Sequence, residues 1–126
     1  MKFKFIGNAS GIFYGDKGTS LLCDPWIING VQEGSWAHYP PLETTMEDLL
    51  DVDVIYLSHI HQDHYDDRHF TKFRKNIPII VLDDKYNFLI KNLKCITSSY
   101  NLIINRITYE TQIPNKANFR FYWRNS

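Results

Sequence analysis

Three of the five histidines and one aspartate lie within six consecutive residues. The segment, SHIHQDHYD, covers residues 58–66 and places His59, His61, Asp63 and His64 close together. Imidazole nitrogen and carboxylate oxygen are ligands that divalent cations such as Zn²⁺ prefer. A tight turn after a strand can aim His59 and His61 at one point and the following Asp-His pair at a neighbouring point. The spacing therefore predicts two adjacent metal sites.

Metal ions at these positions would support hydrolysis. A bound cation lowers the pKa of its water toward about 7, and a second ion about 3.5–4 Å away would clamp the oxygens of the scissile group. Asp63 is the catalytic candidate, because it would both bind metal and orient the attacking water or accept its proton. The alternative is that all four residues are polar loop residues without a metal.

The elements that must position this segment indicate an α/β fold. Alternation of Lys and Phe at residues 2–5 predicts a half-buried strand, and continuous apolar runs predict strands covered on both faces. Turn and capping signals separate these strands from short helices. We predict three antiparallel strands, then strands alternating with helices: strands at 2–7, 12–14, 19–23, 52–57 and 77–82, helices at 44–50, 66–75 and 84–92.

Within these elements the pattern predicts which side chains are buried. Phe70 and Phe73 are expected inward on the second helix, and Phe88 and Leu89 on the third. His69 is expected to be exposed to solvent. Further strands are predicted after Cys95, including residues 119–123.

A long aromatic loop follows the third strand. Pro25 has no amide to donate, so Asp24-Pro25 ends the strand, and the loop runs to residue 41. Trp26, Trp36 and His38 are candidates for lining a substrate pocket, since aromatics with a polar tip suit sugar or nucleotide surfaces. The equal alternative is a loop packed on its own aromatics, and a lone histidine such as His38 is expected to be structural.

Composition restricts the remaining classes of function. The chain has 126 residues, 14 Lys and Arg against 14 Asp and Glu, and 44% hydrophobic residues, so we expect one folded domain over residues 1–126. Zero net charge argues against nucleic acid as a partner. No apolar run approaches the roughly 20 residues of a membrane span, and no signal peptide is evident, so we expect a cytoplasmic protein. Cys23 and Cys95 are expected to be reduced core thiols.

The HxHxDH pattern, preceded by the apolar strand VDVIYLS, resembles the signature of the metallo-β-lactamase superfamily. KFIGNAS and LLCDPWI resemble the branch that includes L-ascorbate-6-phosphate lactonases. DPW, the Trp-rich loop and SHIHQDHYD together resemble CMP-N-acetylneuraminate hydroxylase-like proteins. The resemblance covers roughly residues 1–82.

This resemblance implies an αββα sandwich and a zinc-dependent hydrolase of an ester, lactone or phosphodiester bond in a small molecule. By resemblance His59 and His61 serve the first metal site, and Asp63 and His64 serve the second. One or two Zn²⁺ ions are expected, with Mn or Fe as alternatives. Asp24 would lie beside the site and hold a ligand or loop in place.

The chain also departs from the family. Asn8 stands where many relatives carry His, and no histidine follows His69, whereas relatives add further ligands downstream. The chain thus resembles the N-terminal half of the sandwich, incomplete at its C-terminus, and two ligands per metal is below the usual three. We expect a homo-oligomer, or a partner chain that supplies the missing ligands. The alternatives are a truncated or degenerate member without turnover, having a binding or vestigial role, and a redox role at non-haem iron.

Overall fold

The fold is a mixed six-stranded sheet with short helices. A computed structural model describes residues 1–82, 86, 88–97 and 103–107. A single 3₁₀ turn, Glu47–Leu49, precedes the fourth strand. The other elements are β1 (Lys2–Gly7), β2 (Ser10–Tyr14), β3 (Ser20–Cys23), β4 (Val54–Leu57), α1 (Asp67–Phe70), β5 (Pro78–Leu82), α2 (Phe88–Thr97) and β6 (Ile103–Ile107).

The strands lie in sequence order across the sheet, and the pairing changes from antiparallel to parallel at β3. β1, β2 and β3 form an antiparallel meander, as the sequence predicts. β3 pairs in parallel with β4, β4 with β5, and β5 with β6. Because parallel neighbours need a crossover, the long aromatic loop and the helices lie in these connections. The carboxyl ends of β3 and β4 therefore meet at one edge of the sheet.

Both faces of the central strands are buried, which explains their continuous apolar sequence. The larger core joins one face of the sheet to the helices, with Ile55 and Ile79 from the strands and Phe70 and Leu93 from the helical side. A smaller cluster of Leu21, Val54 and Ile80 lies on the opposite face. The predicted buried strands are thus confirmed, with β4 and β5 one or two residues shorter than expected.

The helices differ more from prediction. α1 ends at Phe70, and turns follow in which the Lys72 N–H donates to the His69 carbonyl, yet Phe70 and Phe73 are both buried as predicted. α2 begins four residues later than predicted, so Phe88 lies at its exposed start, 58% exposed. Leu89 packs against the core, as predicted, but it is only partly buried. The predicted first helix is only the 3₁₀ turn.

The expectations for the cysteines, for residues 119–123 and for membrane spans can also be compared with the structure. Cys23 and Cys95 form no disulfide, but Cys95 is exposed rather than part of the core. Residues 119–123 lie outside the described residues. Among the residues that the structure describes, no helix has both the length and the apolar character needed to cross a bilayer.

Candidate functional site

The parallel pairing of β3 with β4 brings Asp24 to the histidine segment. Cys23 lies opposite Tyr56, and the Asp24 amide donates to the Tyr56 carbonyl at 2.9 Å. Asp24 has a φ of 39°, in the left-handed region that Asp tolerates better than most residues. The chain thereby turns away from β3 while the carboxylate remains at the end of β4.

The Asp24 carboxylate is buried, and both of its oxygens accept hydrogen bonds. Its Oδ1 accepts from the Ser58 backbone N–H at 2.7 Å, and its Oδ2 accepts from the Ser58 hydroxyl at 2.7 Å. The same Oδ2 lies 3.1 Å from His64 Nδ1. The side chain suggested for holding a ligand or loop therefore contacts both the beginning and the end of the motif.

A tight turn folds the motif back on itself. The His61 carbonyl accepts from the backbone N–H groups of His64 and Tyr65, at 2.9 and 2.7 Å. The His59 ring centroid consequently lies 4.0 Å from that of His64 and 4.7 Å from that of His61. Three imidazoles separated by up to five positions in sequence are thus gathered at one point.

The donor atoms form two close pairs. His59 Nε2 lies 3.0 Å from His61 Nδ1, and His64 Nε2 lies 3.4 Å from Asp63 Oδ2. Two ligands on one tetrahedral Zn²⁺, each about 2.0–2.1 Å from the metal, are about 3.3 Å apart. Each pair thus has a separation and a donor chemistry that fit one shared ion.

Neither donor pair has a third protein ligand beside it among the described residues. Within residues 1–82 and the other described ranges, no group of three or more His, Cys, Asp or Glu side chains is arranged to hold a metal ion. Two donors per ion fall short of the three that catalytic zinc sites ordinarily use. The described residues therefore fit two half-sites and not a complete three-ligand site.

The electrostatics of the cluster favour neutral imidazole at His59. Burial lowers the pKa of His59, and the neighbouring His64 and His61 lower it further, while Asp24 and Asp63 act in the opposite direction. A neutral imidazole keeps the lone pair that a cation binds. Burial, and after it the two neighbouring rings, therefore favour the neutral form of His59, which can bind a cation.

The aromatic loop forms one wall of a cleft beside the motif. The cleft has a volume of about 950 Å³, and the end of β1 forms its other wall. Asp63 lines it, as do Trp26, Trp36 and His38. Trp36 is 48% exposed, whereas Trp26 is buried and its ring packs 4.0 Å from that of His38. The loop therefore packs on its own aromatics and also presents Trp36 to the cleft.

Two serines make contacts in the site that sequence patterns do not predict. The buried Ser10 hydroxyl donates to the Asp24 carbonyl at 2.6 Å and accepts from the Trp26 N–H at 2.8 Å. Ser58 links Asp24 to the motif, although its position suggests only the end of a strand. Ser58 begins the SHIHQDHYD segment, but neither its position nor any periodicity predicts the contacts of these two serines with Asp24, which lies 14 residues from Ser10 and 34 residues from Ser58.

His69 corrects the prediction of solvent exposure. The side chain is completely buried, and its Nε2 lies 3.0 Å from the Ile27 N–H and 3.4 Å from the Ile28 N–H. Burial lowers the pKa of His69, with Asp66 opposing the shift. The neutral ring accepts from the aromatic loop and ties that loop to α1. The prediction is wrong because the crossover folds the loop over the helix.

Comparison with solved structures shows similarity to hydrolases. "A possible metal-dependent hydrolase" from Veillonella parvula DSM 2008 matches with a TM-score of 0.65 and 26% identity, over 90% of this chain and 44% of that one. An isothiocyanate hydrolase from Delia radicum gut bacteria matches with a TM-score of 0.64 and 26% identity, over 91% of this chain and 44% of that one. The chain is therefore structurally similar to less than half of each of these two chains.

Curated relatives match a shorter part of the chain. A Mycolicibacterium smegmatis protein named "Putative Rieske 2Fe-2S iron-sulfur protein" is 34% identical over 67% of this chain and 16% of its own length. Cytidine monophosphate-N-acetylneuraminic acid hydroxylase of Danio rerio is 34% identical over 48% of this chain and 11% of its own length. No protein-family model matches the chain.

These matches confirm the coarser part of the resemblance in the sequence. The chain is similar to a region of the hydroxylase and of the Rieske-named protein, and to hydrolase structures. It spans about a sixth or less of the length of these curated relatives and less than half of the solved structures.

Proposed function

We propose that this chain is a metal-dependent hydrolase, most simply with zinc, of the metallo-β-lactamase superfamily. The observation that carries the proposal is the pairing of donor atoms, His59 Nε2 with His61 Nδ1 at 3.0 Å and His64 Nε2 with Asp63 Oδ2 at 3.4 Å. Similarity to a structure described as a possible metal-dependent hydrolase supports it. The bond hydrolysed is an ester, lactone or phosphodiester bond of a small molecule.

The chain's own residues divide the work in this proposal. His59 and His61 hold one ion, and Asp63 and His64 hold the second. When bound, such ions supply hydroxide at neutral pH and polarise the scissile group. Asp63 lies on the wall of the cleft, where it can orient water or accept a proton at its carboxylate. Trp36 offers an apolar face to the rest of the substrate.

A further donor must complete each half-site for full activity. The described residues give two donors to each pair. A substrate atom, water, a second copy of this chain or a partner chain can provide the third ligand. The proposed partners are accordingly a small-molecule substrate and, for the missing ligands, another protein chain.

Two other functions have an observation in their favour. The absence of a three-ligand group among the described residues favours a relative without turnover that only binds a ligand. The similarity to a hydroxylase and a Rieske-named protein favours a role at iron. The two cysteines, Cys23 and Cys95, lack the neighbouring histidines of a Rieske pattern, so the hydrolase remains the preferred proposal.

The deciding experiment is zinc titration of the metal-free full chain by calorimetry, with metal content measured by plasma spectrometry. We expect one or two ions per wild-type chain, and His61→Ala and Asp63→Ala should each weaken one site by about 100-fold or more. His38→Ala removes an imidazole outside the motif and should bind zinc as the wild type does. A folded wild-type chain that binds no zinc, manganese or iron would contradict the proposal.

Activity assays then separate the candidate functions. The zinc-loaded chain is assayed with p-nitrophenyl acetate, a γ-lactone and bis(p-nitrophenyl) phosphate. Turnover that disappears in Asp63→Ala and persists in Lys17→Ala, a change in the exposed turn between β2 and β3, supports the hydrolase. Zinc binding without turnover of any of these compounds supports the binding role, and iron with oxygen-dependent turnover supports the redox role.

A further inference from the structure

A partly buried chain of polar groups connects Asp24 to the imidazoles through Ser58. Ser58 Oγ lies 2.7 Å from Asp24 Oδ2, 2.8 Å from His59 Nδ1 and 3.3 Å from His64 Nδ1. Neither the proposed hydrolysis nor the similarity to other proteins assigns a role to this hydroxyl. Its central position among one carboxylate and two rings decides where protons can lie.

The Ser58 hydroxyl donates its proton in a hydrogen bond to Asp24. An ionised carboxylate only accepts hydrogen bonds, whereas a hydroxyl has one proton to donate and two lone pairs. At 2.7 Å, Asp24 Oδ2 accepts that proton. The Ser58 oxygen can then only accept from His59, so His59 Nδ1 must carry a hydrogen.

The same reasoning fixes the tautomer of His64 without Ser58. His64 Nδ1 lies 3.1 Å from Asp24 Oδ2, an atom that can only accept. His64 Nδ1 must therefore carry a hydrogen as well. In their neutral forms both His59 and His64 keep the lone pair on Nε2, the atom that belongs to each donor pair.

We propose that Ser58 is a positioning residue. Its hydroxyl donates to Asp24, so its oxygen accepts a hydrogen bond from His59 Nδ1, and this contact fixes the His59 ring as the Nδ1–H tautomer. Removing the hydroxyl frees His59 to adopt the other tautomer, whereas His64 retains its direct contact with Asp24. Partners of this kind orient metal-binding imidazoles and change metal affinity by about 10–100-fold. Only this consequence for metal affinity rests on the proposed function.

The test is long-range ¹H–¹⁵N correlation NMR of the metal-free, ¹⁵N-labelled full chain at pH 8. The ¹⁵N shifts report which ring nitrogen carries the hydrogen. In the wild type we expect His59 and His64 both protonated on Nδ1. A His59 ring protonated on Nε2 in the wild type would overturn the proposal without the need for any variant.

Variants isolate the hydroxyl. Ser58→Ala should convert part or all of His59 to the Nε2–H form while His64 remains Nδ1–H, and Ser58→Thr should restore the wild-type pattern. The backbone N–H of residue 58 still donates to Asp24 in both variants. An unchanged His59 tautomer in a folded Ser58→Ala chain, judged by its amide spectrum, would refute the role of the hydroxyl.

Zinc titration of the same samples distinguishes this inference from the proposed function. Ser58→Ala should weaken zinc binding by about tenfold, and Ser58→Thr should bind as the wild type does. Predicted tautomers in a wild-type chain that binds no zinc would sustain the role of Ser58 and contradict the metal site. Zinc binding by a wild-type chain whose His59 is protonated on Nε2 would support the metal site and contradict the role of Ser58.

Discussion

At the scale of single residues, small polar side chains, buried at Ser10 and partly buried at Ser58, hold the candidate site in place. Ser10 and Ser58 each bridge segments that are distant in sequence, and both contact Asp24. A buried polar group is costly without partners and stabilising with them, so such bridges specify one arrangement of the loops. The candidate ligands themselves are more exposed, and their geometry depends on these supports.

His69 provides a stability test at the residue scale. His69→Ala leaves a cavity and two unpaired backbone N–H groups at Ile27 and Ile28, so we expect the free energy of unfolding to fall by about 3 kcal/mol. His69→Gln keeps an acceptor near the position of Nε2 and should lose less. Urea denaturation at pH 8 measures both. A His69→Ala chain as stable as the wild type would show that these hydrogen bonds contribute nothing.

The pH dependence of stability follows from the same residue. Because burial lowers the pKa of His69 in the folded state, the unfolded chain binds a proton more readily below its ordinary pKa of 6.5. The contribution of His69 is fully present above about pH 6.5 and decreases as the pH falls below it. We expect wild type to lose stability between pH 7 and pH 5 more steeply than His69→Gln, measured by denaturation across that range.

At the scale of elements, helix α1 depends on the residue that precedes it. Asp66 is the N-cap of α1, its side chain accepts from the Arg68 backbone N–H at 3.0 Å, and the Arg68 Nε lies 2.9 Å from each of its carboxylate oxygens. Burial alone would raise the pKa of Asp66, but the hydrogen bonds from Arg68 outweigh it and the pKa is lowered. The cap therefore remains charged and paired.

Replacing this cap gives the element-scale prediction. Asp66→Ala removes the capping acceptor and the ion pair and should lower the free energy of unfolding by about 2 kcal/mol. Asp66→Asn retains a capping oxygen, so its loss should be about half as large. Thermal and urea denaturation of both variants checks this order. Equal losses in the two variants would mean that charge, and not capping, is what α1 requires.

At the scale of the whole molecule, β1 is an edge strand with exposed aromatic side chains. Phe3 is 55% and Phe5 65% exposed, and β1 pairs only with β2 within the described residues. Unpaired edges and exposed apolar groups favour association between chains, while charged neighbours such as Lys2 and Lys4 oppose it. The balance decides whether the chain stays monomeric.

We expect the chain to self-associate through this edge. Its mass in light scattering after size exclusion should increase with concentration, and the double substitution of Phe3→Thr and Phe5→Ser should reduce that increase. Phe88→Ser is the matched control, because it removes a ring that is 58% exposed at the start of α2, at the end of the sheet opposite β1. A mass that stays at one chain over a hundredfold range of concentration would contradict self-association.

Sequence alone determined the local features of this protein. The apolar runs of β4 and β5 and the grouping of His59, His61, Asp63 and His64 all depend on residues close together in the chain. The alternation of Lys and Phe also predicted a strand at β1, but its prediction of burial was wrong, because Phe3 and Phe5 are both more than half exposed. Helix bounds were less predictable, because burial of Phe70 and Phe73 is compatible with either a helix or successive turns. Similarity to hydrolases was also readable from short motifs.

Tertiary structure alone decided which distant groups complete the site. The contact of Asp24 with Ser58 and His64, the burial of His69 under the aromatic loop, and the cleft between that loop and β1 all arise from the parallel pairing of β3 with β4 and its long crossover. Such contacts join residues tens of positions apart, and periodicity in a sequence carries no information at that range. Strand pairing and burial of the core select them, which is why the supporting residues became visible only in the folded chain.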